Sequence, residues 1–177
     1  MHQDISEILL TQQQIEKKAQ ELGAELKAIY TKKNPLLIGL LKGSAMFMAD
    51  LMKSMDIPLE IDFMDVSSYD GAASTGDVRI VKDLDTSVRG RHVLIVEDIV
   101  DTGRTLEKVI QLIHSRGAES VEMVTLLDKP EARVAPIEAK YVGFTIPNSF
   151  VVGYGLDYNE QYRNLPYIGI LKESIYS

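Results

Sequence analysis

Apolar residues along the chain fall into two kinds of pattern. Ile15, Ala19, Leu22, Leu26 and Ile29 recur at helical spacing and predict an amphipathic helix with one buried face. Thr11 followed by Gln14 has capping-box spacing at its start, and Leu10 with Ile15 suits a hydrophobic staple. Pro35 ends this region. Residues 36–41, 93–96, 121–127 and 141–145 are instead short apolar runs, as expected of strands covered on both faces. Residues 59–66 and 78–81 read as further strands. Residues 45–55 read as a helix whose Met46, Phe47 and Met52 pack into the core, and 105–116 as a helix closed by Gly117.

Strands alternating with helices predict an α/β fold, a mostly parallel twisted sheet flanked by helices. No repeat or linker divides the chain, so one domain over 1–177 is expected, with a core at about 30–148. The chain ends do not follow the alternation. They are expected to form a small cap from about 1–12 and 149–177, the second stretch being rich in aromatic and turn residues. Residues 67–76 are small, polar and glycine-flanked, and read as a loop.

Composition narrows the function. The chain has 177 residues, 45% of them hydrophobic, which is enough for a real core. It has no cysteine, which excludes disulfides, thiolate metal sites and cysteine nucleophiles. The formal net charge is -7, and Lys32-Lys33 and Arg89-Gly90-Arg91 are short clusters that read as solvated loop charges. No basic footprint for nucleic acid exists. Phosphate ligands stay open, because backbone amides and a few cations hold them. Residues 1–6 lack the basic-then-apolar pattern of a signal peptide, and no apolar run nears the roughly 20 residues of a membrane span. A cytoplasmic protein without membrane contact is the expectation.

The chemistry concentrates in residues 93–106, Val-Leu-Ile-Val-Glu-Asp-Ile-Val-Asp-Thr-Gly-Arg-Thr-Leu. A buried strand carries Glu97 and Asp98 at its C-terminal end, where open α/β sheets bind ligands. A short turn with Gly103 then opens a helix, and its amides, with the Thr102 and Thr105 hydroxyls, suit a phosphate. The segment lacks the lysine and length of a nucleoside-triphosphate loop and the GxGxxG spacing of dinucleotide folds. Carboxylates preceding a phosphate cradle fit a ligand with vicinal hydroxyls beside a monophosphate, such as ribose 5-phosphate. An acidic strand end followed by a capped helix is the plainer alternative.

This segment resembles the signature of the type I phosphoribosyltransferases, and residues 41–171 are similar to the hypoxanthine-guanine phosphoribosyltransferases in their shorter bacterial form. Five pieces occur in the family's order: Leu40-Leu41-Lys42-Gly43-Ser44, Ser67-Ser68-Tyr69, the signature, Asp128-Lys129-Pro130, and residues 150–165 from Phe150 through Asp157 and Arg163. The last piece separates 6-oxopurine enzymes from orotate, adenine and uracil relatives. Departures are minor and lie at Asp70 and Ala72-Ala73 in the loop.

The resemblance implies a transfer between phosphoribosyl pyrophosphate and hypoxanthine or guanine that yields IMP or GMP and pyrophosphate. It implies Mg2+ held by Glu97, Asp98 and Asp157, the acidic pair also meeting the ribose hydroxyls. Asp101 would act as the acid-base at purine nitrogen 7, a role that suits a carboxylate. Asp101, Thr102, Gly103, Arg104 and Thr105 would cradle the 5-phosphate. Lys42 and Gly43 would form a pyrophosphate loop, with a non-proline cis peptide after Leu41. Lys129 would donate to the 6-oxo group, Phe150 would stack on the purine, and the Val151 and Asp157 carbonyls would read its edge. Arg163 would pair with pyrophosphate, and a Ser68–Tyr69 loop would close over the reactants. The resemblance also suggests a homodimer or homotetramer. A xanthine- or guanine-preferring transferase and a non-catalytic nucleotide sensor are the alternatives. His2, His92 and His114 share no ligand spacing and read as structural, and Tyr158 and Tyr162 as cap packing.

Overall fold

A computed structural model describes residues 1–68 and 77–177. Six strands form the main sheet: β2 (Leu36–Leu40), β3 (Glu60–Ser68), β4 (Val78–Lys82), β5 (His92–Val100), β6 (Ser120–Asp128) and β7 (Tyr141–Thr145). Their order is β4-β3-β2-β5-β6-β7, parallel throughout except for β4, an antiparallel edge. Three strands, β1 (Ile5–Leu10), β8 (Val151–Val152) and β9 (Ile168–Leu171), make a separate antiparallel sheet in the order β1-β9-β8. The helices are α1 (Gln12–Tyr30), α2 (Ala45–Ser54), α3 (Arg104–Ser115) and a single turn, α4 (Glu173–Tyr176).

The capping box at Thr11 forms. Gln14 N–H donates to Thr11 Oγ1 at 3.2 Å, and Thr11 N–H donates to Gln14 Oε1 at 2.8 Å. From there Ile15, Ala19, Leu22, Leu26 and Tyr30 are buried; Tyr30 rather than Ile29 completes the face. Alternation along the central strands divides the core between the two faces of the sheet. Leu37, Leu94 and Val96 pack with α1 and α2 on one side, while Leu36, Ile38, Val93 and Ile95 pack with α3 on the other.

Several details differ from the sequence reading. β1 has no counterpart in it, because Ser6 and Glu7 interrupt the apolar residues; pairing with β9 recruits the strand, in an irregular register. β5 continues four residues past Val96, held by β6 up to the pair Val100↔Asp128. Ser67 and Ser68 belong to β3, paired with Arg79 and Val78 of β4, so the expected loop starts in a strand. Its remaining residues, Tyr69 included, lie outside the described ones. In α2, Phe47 is fully buried but Met46 is 40% exposed. Arg91 is also not a solvated charge, since its guanidinium donates to the Asn34 carbonyl and pairs with Glu60.

Candidate active site

The chain turns left from β2 into β3 and right from β5 into β6 in the sheet order, so the switch point lies between β2 and β5. Open α/β sheets bind ligands in the crevice at that point. β2 stays with β5 only as far as Gly39↔Val96, whereas β6 follows β5 to its end. Glu97 and Asp98 therefore stand where β2 has parted from β5. With Gly43, Thr105, Asp157 and Arg163 they line a cavity of about 270 Å³.

The acidic pair resists ionisation. Burial pushes the Asp98 carboxyl up to about 6, although the Ile99 N–H donates to its Oδ1 at 2.7 Å. Burial, then the neighbouring Asp98 charge, holds Glu97 well above the ordinary carboxylate range. The two side chains share a hydrogen bond. Among the described residues, neither carboxylate has a salt-bridge partner. Such a pair favours a ligand that brings cations or hydroxyl donors to it.

The facing wall is built from residues 41–44 and the tail. The Leu41–Lys42 peptide is cis, as the resemblance implied. Gly43 stands hard against the acidic pair: a Cβ there would lie 1.9 Å from Asp98 Oδ2, so one of the two would have to shift. Gly155 backs onto it, and its own Cβ would lie 2.1 Å from the Gly43 carbonyl oxygen. Arg163 donates from Nη1 to the Gly155 carbonyl at 2.6 Å and from Nη2 to Glu160 at 3.2 Å, with Asp157 Oδ1 at 3.4 Å. Lys42 Nζ reaches the other Glu160 oxygen at 2.9 Å. Arg163 Nε is buried without a hydrogen-bond partner, as is Ser44 Oγ beside Gly43.

Between β5 and α3 the chain turns through Gly103, at φ 81°, a left-handed conformation that glycine adopts without strain. The Gly103 position supplies no side-chain cap to α3, and the Arg104 amide has only a long 3.5 Å contact to Thr102 Oγ1. The first amides of the helix therefore remain available to a ligand. The turn is gripped from behind by its carbonyls. Arg133 Nε donates to the Asp101 carbonyl at 3.1 Å, and the Val134 and Ala135 amides donate to the Thr102 carbonyl at 2.9 and 3.0 Å. Asp101, Thr102 and Arg104 are exposed.

Strand register brings Lys129 to the same edge. Its amide donates to the Val100 carbonyl at 3.0 Å, which sets it beside Asp101. Lys129 is buried at 8% exposure, yet no ion pair involves it among the described residues. Phe150 stacks on Tyr176, with ring centroids 4.6 Å apart, and remains 38% exposed. Tyr158 meets Phe150 edge-on, and Val151 is buried in β8. Ser68 is exposed at the end of β3.

Arg133 and Glu160 are the residues that sequence reasoning missed. Glu160 sits inside the matched 150–165 piece, so its carboxylate between two named cations was available as a signal. Arg133 offers none, since only the fold brings it behind Asp101.

The family whose model matches is the phosphoribosyl transferase domain, over residues 6–159. Over 177 residues the chain is 56% identical to the hypoxanthine-guanine phosphoribosyltransferase of Bacillus subtilis, covering 99% of this chain and 98% of that one. A crystal structure of a hypoxanthine phosphoribosyltransferase from Staphylococcus aureus matches with a TM-score of 0.97 and 58% identity, covering 100% of this chain and 97% of the other. The bifunctional protein TilS/HprT of Listeria innocua is 60% identical over the whole chain, which spans only 28% of that longer relative. The chain belongs to the hypoxanthine-guanine phosphoribosyltransferase family.

Proposed function

We propose that the protein transfers the phosphoribosyl group of phosphoribosyl pyrophosphate to hypoxanthine or guanine, releasing IMP or GMP and pyrophosphate. The observation that carries this reading is the convergence, around one crevice, of an unpaired acidic pair, an uncapped helix N-terminus and Arg163. A sugar bearing hydroxyls, a monophosphate and a pyrophosphate meets all three. A nucleotide sensor needs no acid beside the base and is disfavoured by Asp101 standing next to Lys129.

The residues divide the work. Amides of Thr102, Gly103, Arg104 and Thr105 hold the 5-phosphate at the start of α3, where the helix dipole favours anions. Glu97 and Asp98 take the ribose hydroxyls. Lys42, Gly43 and Arg163 hold the pyrophosphate, and a guanidinium suits it because its paired donors match phosphate oxygens. Lys129 donates to the 6-oxo group, Phe150 supports the ring face, and the Val151 and Asp157 carbonyls read the ring edge. As the purine attacks the anomeric carbon through nitrogen 9 and pyrophosphate leaves, Asp101 takes or returns the proton at nitrogen 7. Separate anchors for the two reactants make the encounter intramolecular. Ser68 and Tyr69 contribute to closure, which keeps water from the activated sugar.

Magnesium fits the donor set. Among the described residues no group of three or more ligating side chains exists. Glu97 with Asp98, or Asp157 apart from them, would therefore offer one or two carboxylates, which suffices for an ion that keeps waters and takes substrate oxygens. When bound, the ion neutralises the departing pyrophosphate. A cytoplasmic enzyme acting as a homodimer or homotetramer completes the reading. Among the described residues no helix is long and apolar enough to cross a membrane.

Turnover assayed with phosphoribosyl pyrophosphate and magnesium across hypoxanthine, guanine, xanthine and adenine tests it. Conversion of the first two is expected, with adenine rejected. Turnover of xanthine equal to that of hypoxanthine would move the assignment to a xanthine-preferring enzyme.

A further inference from the structure

We propose that Glu160 is a built-in counter-anion that occupies the pyrophosphate anchors between turnovers and is displaced by the incoming pyrophosphate group. The inference rests on the reading of Lys42 and Arg163 as those anchors. One carboxylate bridges both cations, Oε2 to Lys42 at 2.9 Å and Oε1 to Arg163 at 3.2 Å. These two residues lie more than a hundred positions apart in sequence and share no other bridging side chain among the described residues. Of the two cations, Asp157 pairs with Arg163 and not with Lys42 among the described residues.

The local backbone holds Glu160 in place for this contact. Asn159 and Glu160 both have left-handed backbones, φ 50° and 62°, which asparagine tolerates but glutamate adopts only where the surroundings hold it. Here the Glu160 amide donates to Asp157 Oδ2 at 2.9 Å, and Tyr158 and Gln161 pair across the turn. Lys42 and Arg163 flank the Glu160 carboxylate from two sides, so both of its oxygens face a cation.

The bridge is made to be broken. Lys42 and Glu160 are 61% and 60% exposed, and pairs at such exposure are weak. Pyrophosphate brings several charged oxygens against one carboxylate, and Arg163 Nε still has a donor to give. Once pyrophosphate has formed as product, Glu160 competes for the same two cations and speeds its departure. A carboxylate that merely oriented Lys42 and Arg163 would have the opposite effect on affinity.

Calorimetric titration of the full chain with inorganic pyrophosphate and magnesium separates the two. Glu160→Gln keeps the length of the side chain, and Glu160→Asn suits the left-handed backbone, so at least one variant retains the fold. Folded variants should bind pyrophosphate about three- to tenfold more tightly, the worth of one or two exposed pairs. In a Lys42→Met background the gain should shrink to about two- to threefold, the worth of the remaining Arg163 pair. Unchanged or weaker binding in a folded Glu160 variant makes the residue a brace and overturns the proposal. A parent chain that binds no pyrophosphate overturns it as well. Turnover of hypoxanthine is measured alongside: binding changes as expected without turnover in the parent would reject the transferase reading alone.

Discussion

The two walls of the crevice handle charge in opposite ways. On the strand side, Glu97 and Asp98 are half-buried, adjacent and without a salt-bridge partner among the described residues, and both carboxyls are pushed up. On the tail side, Asp157 and Glu160 are satisfied by Arg163 and Lys42. One wall stores repulsion that a cation or hydroxyl group relieves. The other stores attraction that an anion must replace. A ligand carrying hydroxyls and a metal at one end and phosphates at the other suits both, so the contrast itself describes the ligand.

The sharpest way to break this picture is at Asp101, between the acidic wall and the phosphate turn. Asp101→Asn keeps the size and the capping ability of the side chain but cannot accept a proton. Turnover is expected to fall about 10²–10⁴-fold while nucleotide affinity changes little. Single-turnover rates with the melting temperature check it, and a loss below about threefold would make Asp101 structural.

Gly43→Ala tests how close the walls must stand. Its methyl would lie 1.9 Å from Asp98 Oδ2, so the carboxylate or residues 41–44 must move. We expect roughly 10²-fold lower kcat/KM for phosphoribosyl pyrophosphate and about 1–3 kcal/mol lower stability. Normal kinetics would show that the contact is slack.

Lys129→Ala removes a donor from the base side and leaves both walls alone. A loss of about 1.5–3 kcal/mol in kcat/KM for hypoxanthine and guanine is expected, with weaker rejection of adenine. An unchanged purine profile would take Lys129 out of the site.

Glu97→Gln gives the smallest effect and isolates the stored repulsion. A carboxyl raised in the folded state keeps a proton that the unfolded chain has released. Its folding stability is therefore highest below the unfolded value near 4 and is lost as pH rises through the folded value. For Asp98 that window reaches about 6, and for Glu97 it extends well above the ordinary carboxylate range. The amide introduced by Glu97→Gln mimics the protonated acid. Without ligand the variant should therefore exceed the parent by on the order of 1 kcal/mol at about pH 8 and match it near pH 4. Thermal melts across that range measure the difference; equal curves would mean that water already relieves the pair.

The strand wall was legible in the sequence because its parts are contiguous. A four-residue apolar run, two carboxylates and a glycine turn lie within residues 93–106, and local rules connect them. The extension of β5 to Val100 was not legible, since Glu97 and Asp98 read as a strand end until β6 pairs with them. The tail wall was visible only through family resemblance. Its geometry depends on left-handed Tyr154, Asn159, Glu160 and Tyr162, and of these only Asn159 is a residue whose propensity marks that conformation. β1 escaped for a related reason: its partner β9 lies about 160 residues away, and Ser6 and Glu7 mask its period. The position of Arg133 behind Asp101 is likewise tertiary.

The level ends of β5, β6 and β7 have a consequence for how such a protein diversifies. Val100 pairs with Asp128 and Asp128 pairs with Thr145, so the three strands release their chains side by side at one edge. The turn after β5 is gripped through main-chain carbonyls by Arg133, Val134 and Ala135, with no side chain of residue 129 involved. Lys129 can therefore be exchanged without disturbing residues 101–105. On the proposed roles, heredity can edit the two chemistries separately: a lineage could retune which ring it accepts at the end of β6 while inheriting its sugar-phosphate grip unchanged from the end of β5.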